Sequence, residues 1–291
     1  MAPAGSAIAF TKGHGTRNDF VIVPDFHGAR EFSAGLVARI CDRRAGIGAD
    51  GLLRVVRCEH EPDAAHLADD AEWFMDYRNA DGSVAEMCGN GSRVFAQYLM
   101  SQGLVSPEFT MASRSGLHRV AAQTDGTITV EVGTPTAGPD GPAPVVRVGD
   151  FEWAGDAWWM PNPHVVVFVE DLMEAGALVE VPDVIAADRF PTGHNVEFVV
   201  DHTKDRDAPA AQMRVFERGV GETDSCGTGA CAVALSVRNR HAITGAGSVV
   251  VTVPGGRLRV IVGPDGVVWL NGPAVLVGSG VLDSEWVVGG G

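Results

Sequence analysis

Lysine is nearly absent from this sequence. Lys12 and Lys204 are the two that occur, whereas arginine occurs twenty times. Enzymes that form a Schiff base with a carbonyl compound or with pyridoxal phosphate need a lysine amine for it. Two positions at most could carry that chemistry, so we expect a protein that works without a cofactor of this kind.

Clusters of basic residues are also missing. The chain carries 22 Lys and Arg against 37 Asp and Glu, which gives a formal net charge of −15 at pH 7. Nucleic-acid binding needs clustered positive charge to neutralise the phosphates. The charge balance therefore argues against a nucleic-acid partner.

Long hydrophobic runs do not occur either. No apolar stretch approaches the roughly 18 residues that a membrane helix needs. The first residues, MAPAGSAIAFTKGHG, lack the basic start and sustained apolar core of a secretory signal. We therefore expect a cytoplasmic protein without a membrane segment.

Cysteine is sparse and odd in number. The five are Cys41, Cys58, Cys88, Cys226 and Cys231. Their spacing fits neither a disulfide framework nor paired zinc ligands, and the histidines show no metal-ligand spacing. We expect reduced thiols and no metal.

Short runs rich in β-branched and aromatic residues are plentiful, and each predicts a strand. They are residues 19–25, 51–56, 72–79, 126–133, 164–170, 196–201 and 212–218. Between 248 and 278, similar runs are separated by Gly255-Gly256 and Asp265-Gly266, the residue types of tight hairpin turns. That segment predicts an antiparallel meander.

Two segments predict helices, and each follows a cysteine. SRVFAQYLMSQG, residues 92–103, comes after Cys88-Gly-Asn-Gly and spaces its apolar residues as one helix face does. ACAVALSVRNRHA, residues 230–242, comes after Cys226-Gly-Thr-Gly. Its first eight residues are apolar or small on every side, which is typical of a helix buried all round.

The two halves of the chain share an order of motifs. Asn18-Asp-Phe before VIVPD corresponds to Asn162-Pro-His before VVVFVED, and YRN before Cys88 corresponds to FER before Cys226. Together with the repeated Cys-Gly-X-Gly, three correspondences in one order indicate a duplicated unit.

These patterns predict the architecture. The Pro-rich segment 133–145 is the best linker. We expect an α/β (α+β) fold of two pseudo-symmetric lobes, residues 1–132 and 133–271, each a mostly antiparallel β-sheet or barrel wrapped around a central helix. The active site would lie in the cleft between the lobes, where ligands usually bind.

A cysteine at the start of a helix has a favourable position for base chemistry. The positive end of the helix dipole and unpaired backbone N–H groups favour its thiolate, and its pKa can fall from about 8.5 to roughly 3.5–7.5. The glycines that follow Cys88 and Cys226 remove bulk, so a carboxylate can approach those N–H groups. Two such units facing one substrate carbon would supply the acid and the base for inversion of a stereocentre.

Seven segments resemble the diaminopimelate epimerase family in sequence and in order. They are KGHGTRNDF (12–20), GIGADG (46–51), YRNADGS (77–83), MCGNGSR (87–93), NPH (162–164), GHNVEF (193–198) and ERGVGETDSCGTGA (217–230). The resemblance implies cofactor-independent epimerisation of LL-2,6-diaminopimelate to the meso form, in lysine and peptidoglycan precursor biosynthesis. The resemblance also implies a homodimer. Each chain would have two α/β halves, and the last strands, within residues 272–291, would return to complete the first half.

The resemblance also assigns roles to residues. It makes Cys88 and Cys226 the acid/base pair, with His164 and Glu217 tuning their ionisation. The backbone amides that would hold the reacting carboxylate belong to Gly89, Asn90, Gly227 and Thr228. The side chains that would complete the substrate site are Asn18, Asn79, Asn162, Asn195, Glu217 and Arg218.

Arg218 would fix the distal carboxylate, since an arginine fork matches that group, and Glu217 would bind an ammonium. One position departs from the family. Many members carry Gln, a substrate ligand, where this chain has Gly51, so no contact is expected from residue 51.

Two other interpretations stay open. Proline and hydroxyproline racemases are relatives of the same fold but tend to carry His where this chain has Asn90. A non-catalytic binding or redox-sensing module, whose two thiols close into a disulfide, would also contain paired cysteines. Because both cysteines have the same local design, either could be the resting thiolate.

Overall fold

The structure, a computed structural model, describes residues 7–138, 141–160, 162–185, 187–191 and 193–289. Strands dominate these residues. In chain order the strands are β1 (Ile8–Gly15), β2 (Asn18–Pro24), β3 (Gly51–Arg57), β4 (Trp73–Asn79), β5 (Glu108–Ser113), β6 (Gly116–Ala122), β7 (Ile128–Gly133), β8 (Thr136–Ala137), β9 (Val145–Val148), β10 (Phe151–Trp159), β11 (Pro163–Phe168), β12 (Asp183–Ile185), β13 (Asn195–Asp201), β14 (Ala210–Glu217), β15 (Gly221–Thr223), β16 (Gly247–Val253), β17 (Gly256–Val262), β18 (Val268–Gly272) and β19 (Val275–Leu282).

The α-helices among the described residues are α1 (Ala34–Cys41), α2 (Gly89–Ser101), α3 (Gly227–Arg240) and α4 (Ser284–Val288). Short 3₁₀ segments lie at Cys58–His60, Ala65–Leu67, Leu172–Ala175 and Ala187–Arg189. None of the helices in the described ranges is both long and apolar enough to cross a membrane.

The chain divides into two compact units. The first comprises Met1–Val130 and Pro273–Gly291, and the second comprises Glu131–Gly272. The first unit therefore contains β19, which lies near the end of the chain.

Strand pairing in the first unit alternates in direction. β1 pairs with β2 antiparallel, β2 with β3 parallel, β3 with β4 antiparallel and β4 with β5 parallel. β5 with β6 and β6 with β7 are antiparallel. Helix α2 lies between β4 and β5 in the chain and packs against β1, β2, β3, β4 and β19.

The second unit repeats this pattern. β10 pairs with β11 antiparallel, β11 with β13 parallel, β13 with β14 antiparallel and β14 with β16 parallel. β16 with β17 and β17 with β18 are antiparallel. Helix α3 lies between β14 and β16 in the chain and packs against strands of its own unit. The equal order of pairings confirms the duplication that the motifs indicated.

The predicted strands and helices are confirmed with small shifts at their ends. Each of the seven predicted runs corresponds to a strand. The two helices start three residues before the predicted segments, at Gly89 and Gly227. Both glycines belong to the first helical turn because the cysteine before each one caps the helix.

The predicted meander is correct for β16, β17 and β18 but wrong for the last run. β19 pairs antiparallel with β1, so that Ile8 lies opposite Leu282. Hairpin signals in the sequence specify pairs of neighbouring strands. The partner of a strand at the end of the chain depends on tertiary packing instead.

Each central helix is buried in its unit. Val94, Phe95 and Leu99 of α2 are fully buried in the core of the first unit. Every residue of α3 from Gly227 to Arg238 is buried, as the small and apolar composition of this segment predicted. Helices α1 and α4, which are short, were not predicted from the sequence.

Candidate active site

Cys88 and Cys226 occupy the same structural position in the two units. They are the N-cap residues of α2 and α3, and both have an extended backbone. Each sulfur accepts a hydrogen bond at 3.3 Å from the backbone N–H three residues on, that of Gly91 or Gly229. Each sulfur thus caps the first turn of its helix through one backbone N–H, and the motif predicted this position at the start of a helix.

Asn18 links Cys88 to its surroundings. The Cys88 thiol donates to Asn18 Oδ1 at 3.6 Å, and Asn90 Nδ2 donates to the same oxygen at 3.3 Å. Asn18 Nδ2 in turn donates to Asp50 Oδ2 at 2.9 Å. Asp50, which the sequence analysis did not single out, therefore fixes which end of the Asn18 amide faces Cys88.

A buried arginine supports the first turn of α2. Arg93 has no exposed surface. Its guanidinium donates to Gly89 O at 3.1 Å and to Asn90 Oδ1 at 2.8 Å. The charge-assisted contacts hold both residues in place. The signal in the sequence was an arginine among the apolar residues of a buried helix.

Asn79 is the last residue of strand β4. Both the oxygen and the nitrogen of its side-chain amide are hydrogen-bonded. Tyr77 Oη donates to Asn79 Oδ1 at 2.9 Å, and Asn79 Nδ2 donates to Ser83 Oγ at 3.0 Å. Neither Tyr77 nor Ser83 was predicted to support the site.

Cys226 lies in a more buried and more negative environment than its position alone predicts. Burial raises the pKa of the Cys226 thiol well above its ordinary value, and the negative charges of Glu217 and Glu197 raise it further. Hydrogen bonds to Thr228 and from the Gly229 N–H act in the opposite direction but are weaker. Since a thiolate loses its hydration on burial, the expected lowering of the pKa is wrong for Cys226.

Glu217 lies beside Cys226 and is partly buried. Burial raises the pKa of Glu217, against a hydrogen bond from the Thr223 hydroxyl and the charge of His164, which lower it. The negative charge of Glu217 hinders ionisation of Cys226, whereas a hydrogen bond with Cys226 lowers the pKa of Glu217. The geometry therefore keeps the Cys226 sulfur protonated, which suits an acid better than a base.

A buried ion pair adjoins this cysteine. His164 and Glu197 are both fully buried, and His164 Nδ1 lies 2.6 Å from Glu197 Oε1. His164 Nε2 lies 3.0 Å from Asn162 Oδ1. Glu197 was not predicted as a site residue, although a glutamate inside the apolar run VEFVVD was a visible signal.

Asn195 is on the same face of β13 as Glu197 and lies opposite His164 in the register with β11. Asn195 Nδ2 donates to Pro163 O at 3.2 Å, and Asn195 Oδ1 accepts from the backbone N–H of Arg218 at 2.9 Å. The Arg218 backbone is therefore fixed through β13. The charge of Arg218 also lies near His194, where burial first and then Arg218 lower the pKa of the imidazole.

Three of these side chains could be considered as metal ligands. His164, Glu197 and Cys226 offer ligand atoms within 4.8 Å of one another. However, the distance of 2.6 Å between His164 Nδ1 and Glu197 Oε1 is that of a direct hydrogen bond. Two ligands that each bind zinc at about 2 Å in a tetrahedron lie farther apart than this. The direct hydrogen bond occupies His164 Nδ1 and Glu197 Oε1, and the absence of a metal stays a prediction.

The structure thus brings the predicted residues together within each unit. In the first unit, Cys88, Gly89, Asn90 and Asn18 form one hydrogen-bonded group, and Asn79 forms another with Tyr77 and Ser83. In the second unit, hydrogen bonds or charges connect Glu197 with Asn162, His164, Asn195, Glu217, Arg218, Cys226 and Thr228. Gly227 follows Cys226 as the first residue of α3.

Known proteins share this sequence over nearly its whole length. A family model described as diaminopimelate epimerase matches residues 10–137 and 158–277. A diaminopimelate epimerase of Streptomyces coelicolor is 50% identical over 288 residues, which cover 97% of this chain and 98% of the relative. One of Thermobifida fusca is 45% identical over 279 residues, with 93% and 96% covered.

Solved structures share the fold at much lower identity. A hydroxyproline epimerase from Agrobacterium vitis, with trans-4-hydroxy-L-proline bound, has a TM-score of 0.69 at 16% identity and covers 97% of this chain and 95% of its own. A PhzF-family phenazine biosynthesis protein of Bacillus anthracis has a TM-score of 0.66 at 16% identity, with 95% and 99% covered. The likeness shows a mixed α/β fold of the two-lobe epimerase type.

Proposed function

The chain belongs to the diaminopimelate epimerase family, and we propose on that basis that it inverts one α-carbon of LL-2,6-diaminopimelate to give the meso form. Cys88 and Cys226 act as the two bases, and no cofactor takes part. The observation that carries this proposal is the pair of cysteines at equivalent helix caps of a duplicated unit.

The environment of Cys226 supports a division of roles between the two cysteines. Cys226 is buried beside Glu217 and Glu197, which favours its protonated form. In the direction from LL to meso, the Cys88 thiolate removes the α-proton and the Cys226 thiol delivers a proton to the opposite face of the carbon. The roles are exchanged in the reverse direction. The mechanism requires one sulfur at each face of the α-carbon.

The charge that develops on proton removal moves onto the α-carboxylate. Backbone N–H groups of Gly89, Asn90, Gly227 and Thr228 would stabilise that charge, because these residues lie in the first turns of α2 and α3, at the positive ends of the helix dipoles. With no lysine-bound cofactor to accept electrons, this stabilisation comes from the protein alone.

The distal end of the substrate also needs recognition. Arg218, whose backbone is fixed by Asn195, would bind the distal carboxylate, and Asn18, Asn79 and Asn162 would complete the site. Glu217 would face an ammonium group. The product supplies lysine and peptidoglycan precursor synthesis, and we place the enzyme in the cytoplasm as a homodimer.

Hydrogen exchange at the α-carbon tests the proposal. Reduced enzyme in deuterated water should convert LL-diaminopimelate to meso product with one deuterium at the inverted carbon, measured by mass spectrometry. Cys88→Ser and Cys226→Ser should each lose turnover by at least about 100-fold, since each removes one of the two bases. Cys58→Ser, at a buried thiol outside the site, is the matched control and should retain turnover. Absence of exchange with the parent enzyme would refute the proposal.

A proline or hydroxyproline racemase is the second candidate, because a structural neighbour is a hydroxyproline epimerase. It predicts exchange of deuterium into proline or hydroxyproline and none into diaminopimelate. The same mass-spectrometric assay, run on each substrate, separates the two. Equal turnover by a Cys88→Ser variant would instead favour a non-catalytic role for the thiols.

A further inference from the structure

Position 51 has no room for a side chain. A Cβ atom added to Gly51 would lie 2.6 Å from Arg78 O and 2.8 Å from Cε2 of Tyr77. Both distances are shorter than carbon contacts allow. The ring of Tyr77 therefore fills the space that a larger residue at position 51 would need.

The sheet register explains why these residues meet. In the antiparallel pair of β3 and β4, Gly51 lies opposite Asn79 and Leu53 lies opposite Tyr77. Alternate residues of a strand share a face, so Gly51, Leu53, Tyr77 and Asn79 are neighbours on one face. The missing side chain of Gly51 lets the Tyr77 ring lean diagonally towards Asn79.

Tyr77 is held firmly in that orientation. Its side chain is almost buried, with 9% exposed, and its ring makes an edge contact with Phe20 at a centroid distance of 6.0 Å. The phenol at the end of this packed ring donates to Asn79 Oδ1 at 2.9 Å. The packed ring of Tyr77 thus holds its hydroxyl group in position to hydrogen-bond the Asn79 side chain.

The Asn79 amide is fixed at both ends by this contact and by Ser83. Tyr77 holds the oxygen and Ser83 Oγ accepts from the nitrogen at 3.0 Å. An amide group has two N–H donors and two acceptor sites. One donor and one acceptor of Asn79 therefore remain for a ligand, and their directions are set.

We propose that Tyr77 is a positioning residue for substrate binding that acts through Asn79, and that Gly51 is the residue that makes room for it. The proposal rests on the proposed function, in which Asn79 contacts diaminopimelate. Tyr77 does not touch the reacting carbon. Its effect should appear in the binding of substrate and not in the chemical step.

Steady-state kinetics on diaminopimelate tests this. Tyr77→Phe removes one hydroxyl and keeps the packed ring, so KM should rise about 3- to 10-fold, as loss of one neutral hydrogen bond predicts. The value of kcat should stay within about 2-fold, because the interaction is the same in ground and transition states. Ser83→Ala removes the hydrogen bond to Asn79 Nδ2, and it should raise KM and leave kcat unchanged in the same way.

A double-mutant cycle identifies the route of the effect. In an Asn79→Ala background, Tyr77→Phe should change KM no further, because the residue through which it acts is gone. An unchanged KM in Tyr77→Phe, or the same rise in KM with and without Asn79, would overturn the proposal.

Urea unfolding of each variant separates positioning from stability, since a purely structural role would lower the midpoint and leave KM unchanged. Parent enzyme that turns over no diaminopimelate would overturn the proposed function and this proposal together. Failure of the Tyr77 proposal alone would appear as active parent enzyme with an insensitive KM.

Discussion

The third residues of α2 and α3 offer a matched test of how the two cysteine sites differ. Gly91 and Gly229 both donate a backbone N–H to the sulfur of the preceding cap at 3.3 Å. An added Cβ at Gly229 would lie 2.6 Å from Glu197 Oε1. At Gly91 the nearest atoms would be 3.3 Å away, on Cys88 and Leu53. We expect Gly229→Ala to lower stability and activity more than Gly91→Ala does.

The loss of stability in Gly229→Ala can be worked out from the displacement of Glu197 Oε1. Glu197 Oε1 would have to retreat by about 0.5 Å to reach even a tight carbon contact, and this oxygen is bonded to His164 Nδ1 at 2.6 Å. Loss of a hydrogen bond to a charged group costs about 1.5–3 kcal/mol. Replacing glycine by alanine in a helix returns at most about 1 kcal/mol. The net loss of unfolding free energy in Gly229→Ala is then about 0.5–3 kcal/mol.

Gly91→Ala requires its neighbours to shift by only a few tenths of an ångström and displaces no hydrogen-bonded carboxylate, so its unfolding free energy should equal that of the parent within about 0.5 kcal/mol or exceed it. Activity should follow the same order. Displacement of Glu197 moves the groups around Cys226, and a shift of about 1 Å near reacting groups can cost about 100-fold in rate. We expect kcat/KM to fall at least about ten times further in Gly229→Ala than in Gly91→Ala.

Urea unfolding and the deuterium-exchange assay measure both quantities on the same preparations. Equal unfolding free energies and equal kcat/KM in the two variants would refute the reasoning, because the contact with Glu197 would then carry no cost.

Two further predictions follow from the ionisation of buried groups. Burial raises the pKa of Glu217, so its contribution to stability is complete below its ordinary pKa of about 4.3 and is lost as pH rises through the folded value. Glu217→Gln should therefore gain stability relative to the parent as pH rises above about 4.3 while losing activity, and parallel urea-unfolding profiles would contradict this. Burial likewise raises the pKa of Cys41 and of Cys58 to about 11, so iodoacetamide at pH 8 should label these thiols only after unfolding, which peptide mass spectrometry can check. Labelling in the folded protein at the rate of a free cysteine would be the contrary result.

The sequence was informative wherever chemistry is local. Cys88 and Cys226 were identified from the residues beside them, because a helix cap and the glycines after it are set by a few consecutive positions. Strand runs and both central helices followed from periodicity and composition. The duplication was visible because matching motifs keep their order along the chain.

Contacts between distant segments were missed. Glu197 lies 33 residues from His164 along the chain, and nothing in either segment specifies that parallel pairing of β11 and β13 brings them together. Asp50 reaches Asn18 through the pairing of β2 and β3, and β19 pairs with β1 across most of the chain. Such pairs depend on the free energy of the whole packed unit.

The amino-acid sequence by itself determined the duplicated α/β plan, the two cysteine caps and the family, because these depend on local patterns that repeat in order. Only the tertiary structure decided how the two cysteines differ. Identical cap geometry favours a thiolate in both, but burial beside Glu217 and Glu197 raises the pKa of Cys226. Desolvation and charge depend on what the rest of the fold packs against the sulfur, and the residues next to it in the chain do not encode them.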